Sequence, residues 1–355
     1  MPHPSSALLN PALPEVLKTA FGWDLLRLEV FVEQQTMAQF SALKVRGTWV
    51  SLPHFDHGGL WVDGEAIRLL NLPLPGNEEE AAAFLHRQLM RCIVHFLDRT
   101  ALAAGQDHHL RLELSPDELL QAGPWPADST RLQYRSPFRE SETAIGGKVM
   151  SFLPLPRKET LTPAFFRQEI ARKIRRAMRH GLKTETGGME LLDDFYSVYR
   201  QNIRELGSFG LPKKFFNNLV NGYTEGDCLM VLVRHEGKPV GAGVLLTWGG
   251  AAENAWFATL GRYNRMYVSY LLHYTLMREA ARRGCHTYSM GRSTTGSGVH
   301  RYKQQWGTTD QPLFMNATFN QKNPAGLYPR LKNLVKLIPL PLAKMMDDYL
   351  VDRIY

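Results

Sequence analysis

The stretch Asp227–Gly261, DCLMVLVRHEGKPVGAGVLLTWGGAAENAWFATLG, reads as three consecutive antiparallel strands. Apolar runs rich in Val, Leu, Ala and aromatic residues are separated by two Gly-containing turns, at Glu236-Gly237 and Gly249-Gly250. Such a meander needs partners on both sides, and the flanking sequence supplies them.

Downstream, Val268–Gly284 (VSYLLHYTLMREAARRG) has helical character and stops at glycine, and Cys285–Gly291 (CHTYSMG) is the next strand. Upstream, a basic helix starts near Pro163 and ends at Gly181, a second covers Leu191–Leu206, and a third begins near Pro212. The first half is less regular. Phe40–Gly47 and Thr48–Phe55 read as strands meeting at Gly47, Glu78–Gly105 as a long amphipathic helix with an acidic first turn, and His108–Leu114 as a strand. Ser141–Leu155 is strand-like and connects the halves. The predicted fold class is therefore α/β (α+β), with a first domain over 1–145, a second over 146–325 and a helical tail over 326–355.

Size and composition agree. At 355 residues and 44% apolar content the chain exceeds what one hydrophobic core usually serves. Three cysteines, Cys92, Cys228 and Cys285, lack CxxC spacing, so neither a disulfide framework nor a zinc site is expected. The N-terminus lacks a basic segment followed by an apolar core, and no apolar run approaches about 18 residues, so a cytoplasmic location is expected. A formal charge of +8 favours anionic partners.

Gly291–Thr308, GRSTTGSGVHRYKQQWGT, is the first candidate site. Gly291, Gly296 and Gly298 permit positive φ and close backbone approach. Ser293, Thr294, Thr295 and Ser297 add hydroxyls, and Arg292 and Lys303 add positive charge, a composition suited to phosphate or carbonyl oxygens. It departs from the GxxxxGK[ST] phosphate loop, so no ATP site is read. Tyr302 and Trp306 flank Lys303 and either wall a substrate path or anchor the loop on the core. In the basic helix, Arg172, Arg175, Arg176 and Arg179 fall on one face opposite Ile170, Ile174 and Met178, a pattern that fits phosphate contact or a solvated face. No aromatic residues interleave them, so sequence-specific DNA reading is not expected. Asp56 and His57 sit in a turn after a strand, placed for proton transfer or simply for the turn.

These pieces resemble the FemAB family of peptidoglycan-bridge peptidyltransferases, and more closely the FemAB-like proteins of exosortase (PEP-CTERM) and exopolysaccharide systems. The resemblance rests on GRSTTGSGVHRYKQQWGT, KIRRAMRHGL, FYSVYRQNIRELGSFGLPKKFF and GKPVGAGVLL, and is strongest from Ser151 to Met315. It implies two tandem acetyltransferase-like (GNAT-like) domains with substrate between them. It also implies transfer of an aminoacyl group from aminoacyl-tRNA to the amine of a lipid-linked or nucleotide-linked envelope precursor; an acyl group from acyl-CoA and an amine-bearing glycan stay open as donor and acceptor.

By motif, Lys303 matches the lysine of the family's active loop, where it holds a donor phosphate or stabilises an oxyanion. Lys303, Arg292 and Tyr302 are the catalytic candidates. Arg172, Arg175, Arg176, Asp56, Ser293, Gly296, Ser297, Gly298 and Trp306 are the substrate-binding candidates. The proton acceptor stays open among His300, Tyr302 and Asp56. No long heptad run matches the family's tRNA-binding arm, and GRYNRMYVSYLL stands where acetyltransferases carry a glycine-rich pyrophosphate turn; Arg262 and Arg265 are available there instead. The tail either packs as a terminal helix or lies on the inner membrane surface. The competing reading is a catalytically inactive binding module for an anionic glycan or lipid diphosphate, and a third is nonspecific nucleic-acid binding.

Overall fold

The computed structural model describes residues 6–32, 35–56, 58, 60–63, 107–112, 147–156 and 161–317, with scattered helical positions between 80 and 93. The expected tail 326–355, His57 and most of the expected helix Glu78–Gly105 lie outside the described residues.

Two sheets organise the chain. The first contains β1 (Asp24–Val32), β2 (Gln35–Val45), β3 (Thr48–Val50), β4 (Leu60–Val62) and β5 (Asp107–Leu112). Helix α1 (Ala12–Phe21) precedes it and buries Leu13, Val16, Leu17 and Ala20, one stripe at helical spacing, before Gly22 ends it. The second sheet contains β6 (Lys148–Pro154), β7 (Lys183–Gly187), β8 (Asp227–His235), β9 (Lys238–Trp248), β10 (Ala251–Thr259), β11 (Thr287–Thr294) and β12 (Thr309–Pro312), in the order β12-β6-β11-β10-β9-β8-β7. Every pairing in it is antiparallel except β10 with β11.

The meander quoted above is β8, β9 and β10. Helices α2 (Gln168–Arg179) and α5 (Val268–Arg282) cover one face of this sheet, while α3 (Leu192–Leu206) and α4 (Lys213–Gly222) cover the other. Alternation along the strands explains the layering. Met230 and Leu232 of β8 enter the core with α3 and α4, whereas Val231 and Val233 enter the core with α2 and α5. Among the described residues no helix is long and apolar enough to cross a membrane.

Three expectations change. Pro163 lies in a short 3-10 turn, Pro163–Phe165, before α2, and Met178 is exposed; Ala171 and Ala177, with Ile170 and Ile174, form the buried face of α2. The loop read after Gly291 is half regular: β11 continues to Thr294 and an unanticipated helix, α6 (Gly298–Gln305), follows. Finally, the chain does not stay in the second sheet through 325. Strand β13 (Phe314–Ala317) returns to pair with β5, Phe314 opposite Leu112, so the first sheet is completed by sequence from the far side of the second.

The two parts also share a core. Leu13, Leu17, Leu52 and Phe55 pack in one cluster with Phe195, Phe215, Phe216 and Leu246. Phe215 lies at its centre, with ring centroids 5.6 Å from Phe21 and 5.4 Å from Trp256. The loop carrying Phe55 and Asp56 is thereby seated against the second sheet.

Candidate active site

Parallel strands β10 and β11 pair only over Ala251–Glu253 and Thr287–Ser289, then part. Each carries an irregularity where they separate. On β10 the register with β9 shifts between Asn254 and Trp256, and on β11 the register with β6 shifts between Ser289 and Arg292. Gly291 lies in the second bulge at φ +75°, a backbone region costly for other residues. The result is a fork in the sheet with main-chain carbonyls turned out of the ladder.

Lys303 of α6 reaches this fork. Its Nζ donates to the carbonyl oxygens of Gly291 (2.6 Å) and Arg292 (2.9 Å), and the residue is only 5% exposed. Burial pushes the ammonium down to about 8, against the opposing pull of Asp56, Glu253 and Asp310, while Arg292 pushes the same way as burial.

Asp56 arrives from the other face, carried by the first-domain loop. Its Oδ2 accepts the Arg292 backbone N–H (2.8 Å), and its Oδ1 lies 3.3 Å from Arg292 Nε. Glu253, 2% exposed, ends the paired part of β10. A Cβ on Gly291 would stand 3.3 Å from Asp56 Oδ2 and 3.7 Å from Glu253 Oε1, so the bare glycine leaves two carboxylates converging on one point. Lys148 of β6 adds a further cation, bonded to Thr294 Oγ1; burial and the neighbouring Arg292 charge lower its pKa, with Asp56 opposing.

A separate network braces α6. Gly296 N–H donates to His300 Nδ1 (3.0 Å), so His300 carries its proton on Nε2 and donates to Asp310 Oδ2 (2.6 Å). Ser151 donates to Asp310 Oδ1 (2.7 Å), and Ser297 Oγ caps the helix by accepting from His300 N–H. Both ring nitrogens of His300 are thus engaged, which removes it from the candidate proton acceptors. Asp310→Ala leaves a buried His N–H and a Ser O–H unpaired, and is expected to cost about 1–3 kcal/mol. In hydrogen exchange, the α6 amides should lose protection before those of β8–β10.

Other candidates take different places. Tyr302 is packed 5.2 Å from Tyr270 and 5.7 Å from His273 by ring centroid, and burial raises its phenol far above the ordinary range, so it takes no proton near neutrality. Trp306 is 3% exposed and meets Phe166, Tyr270 and His273, which makes it the anchor of α6 rather than a channel wall. Gly296 has φ +72°, whereas Gly298 begins α6 in helical conformation. Ser293 is buried on β11 with its hydroxyl unpaired.

Of the candidates named from the sequence, the structure brings Lys303, Arg292 and Asp56 together. Arg172, Arg175 and Arg176 stay on the exposed side of α2, whose link toward α6 is instead Lys173, bonded to Tyr270 (3.0 Å) and Gln305 (3.4 Å). Glu253, Lys148 and Asp310 were missed. An isolated acid inside the apolar run AAENAWFA was the one signal available for Glu253.

Residues 164–304 match the acetyltransferase (GNAT) domain. That segment includes Glu253, Gly291, Arg292 and Lys303, while Asp56 lies outside it. No curated protein sequence matches the chain. Among solved structures, FemX is 14% identical with a TM-score of 0.60, covering 90% of this chain and 94% of that one. The C-terminal domain of a proposed lysylphosphatidylglycerol synthetase from Agrobacterium fabrum is 13% identical at 0.54, covering 93% of each chain. L-PGS from Bacillus licheniformis is 11% identical at 0.52, covering 92% of this chain and 97% of that one. The chain therefore has a mixed α/β fold like that of FemX, with a GNAT domain match over 164–304, and this is consistent with the tandem GNAT-like arrangement expected from the sequence.

Proposed function

We propose that the chain is an N-acyltransferase whose reaction site is the fork between β10 and β11. The observation that carries this is the fixed, buried Lys303 ammonium. A lysine has three N–H donors. Two are held by the carbonyls of Gly291 and Arg292, so the third is oriented and available.

When an amine attacks an ester or thioester carbonyl, negative charge develops on the carbonyl oxygen. A preorganised cation in a poorly hydrated site stabilises that charge more than the neutral ground state. With a pKa of about 8 the ammonium stays mostly charged at neutral pH. In this reading Asp56 and Glu253, which converge beside Gly291, hold the acceptor's ammonium and receive the proton it releases. Collapse of the tetrahedral intermediate then expels the thiolate of CoA or the ribose hydroxyl of tRNA. The nucleophile belongs to the substrate, so no reactive Ser or Cys is required.

An acyl-CoA donor is favoured by the match to an acetyltransferase domain, and an aminoacyl-tRNA donor by the FemAB-like resemblance. The acceptor in this reading is an amine-bearing glycan or lipid-linked envelope precursor. Its exopolysaccharide or exosortase setting comes from the resemblance alone. In this reading the exposed Arg292 meets the acceptor first, with Lys148 as a further cation for an anionic group.

A second reading, a binding module for an anionic glycan or lipid diphosphate, draws on the same burial of Lys303 and Glu253. Mass spectrometry separates the two. The purified chain is incubated with acetyl-CoA or an aminoacyl-tRNA and an amino-sugar or peptide amine. Acceptor heavier by the acyl group, formed only with enzyme and one donor class, supports the transferase. Binding of acceptor with neither donor consumed supports the module instead.

A further inference from the structure

The exposed side of α2 carries Arg172, Arg175, Arg176 and Arg179, and helical spacing puts them in one arc opposite the buried Ile170, Ala171, Ile174 and Ala177. Solvated cationic faces usually carry acids among the bases. Here Glu169 is the acid of the helix, and it is spent on Lys173 (2.6 Å). Among the described residues no acid pairs with any of the four arginines; Arg176 alone has a ring beneath it, Tyr267 at 5.1 Å.

Two large apolar side chains are exposed on this helix or in the turn leading into it. Met178 borders it at the C-terminal end (42% exposed), and Phe165 stands in the turn leading into the helix (46%). They are two of four large hydrophobic side chains exposed among the described residues, so half of that exposed set accompanies one cationic helix. Arg262 and Arg265, exposed in the turn before α5, add to the charge where α5 begins, beside α2.

We infer that this face of α2 docks on an anionic lipid surface. Unpaired guanidinium groups complement lipid phosphates, and exposed apolar side chains on the helix and in the turn before it enter the headgroup boundary. Charge complementarity would also suit RNA phosphates. Of the two exposed apolar side chains only Phe165 could stack on a base, while both suit a hydrocarbon boundary, so the lipid surface is favoured. Docking there would bring α6 near the membrane, since Lys173 on the flank of α2 touches Gln305, two residues past Lys303. The inference needs no catalytic step and stands apart from the transfer reading.

Vesicle flotation of the full chain tests it. The wild type should float with vesicles of phosphatidylcholine containing about one third phosphatidylglycerol and stay behind with phosphatidylcholine alone. Arg172→Glu/Arg175→Glu/Arg179→Glu should weaken partitioning about 100-fold. Phe165→Ser/Met178→Ser should weaken it at unchanged net charge. Lys18→Glu/Lys214→Glu/Lys238→Glu, an equal charge change on other exposed positions, should weaken it far less. The inference is overturned if the wild type fails to float, if the two triple variants lose binding equally, or if the arginine variant loses binding to added tRNA while keeping its vesicle binding.

Discussion

Lys303→Met is expected to lower kcat/KM for amine acylation by about 100- to 1,000-fold, the usual loss when one oxyanion donor is removed. Methionine keeps the length and the apolar stem, so the variant isolates the ammonium. Its two carbonyl partners lose a hydrogen bond each, and a thermal melt recorded alongside shows whether the fold is retained. Lys303→Arg is not expected to rescue activity. The planar guanidinium is larger and presents its donors in a fixed fork, which the close Gly291 and Arg292 carbonyls do not match. A rate within about threefold of wild type in a folded Lys303→Met variant would remove Lys303 from the chemistry.

The second large effect concerns stability. Phe215→Ala is expected to cost about 3–5 kcal/mol, measured by denaturant unfolding. Phe215 is fully buried and touches rings from both parts of the chain, Phe21 and Phe55 from the first and Phe216 and Trp256 from the second. The cavity therefore opens in the core that seats the Asp56 loop. Activity should fall at denaturant concentrations where α2 and α5, on the opposite face of the sheet, remain folded. A loss below about 1 kcal/mol would mean that the two parts do not share this core.

Much of the second part was legible because its meander and its longer helices carry their own signals. Residues 227–259 alternate and are punctuated by glycine turns, and Gly181, Gly207 and Gly284 mark helix ends. Helix α6 was hidden: GSGVHRYKQQ looks like a loop by composition, and what makes it helical is the Ser297 cap together with the His300–Asp310 brace, a contact ten residues apart. The fork was hidden for a related reason. Bulges at Asn254–Trp256 and Ser289–Arg292 are properties of paired strands, and single-strand alternation does not show them.

At the site, Lys303 and Arg292 were named from the loop and Asp56 from a turn far away in sequence, but their meeting rests on packing of Phe55 into the shared core. Glu253 and Lys148 had no local pattern to announce them; tertiary contact alone gives them a role. For the arginines of α2, spacing shows which residues share a helix face and not what that face meets.

The most direct test of the account is the pH dependence of kcat/KM for amine acylation, wild type beside Lys303→Met. The rise at low pH belongs to deprotonation of the acceptor amine. The fall at high pH belongs to Lys303, whose charged form is lost as pH climbs through about 8. Wild type should therefore show an alkaline limb near pH 8, and the residual activity of Lys303→Met should continue without it. The same limb in both proteins, or a wild-type rate still level above pH 10, would contradict a buried ammonium acting at the fork.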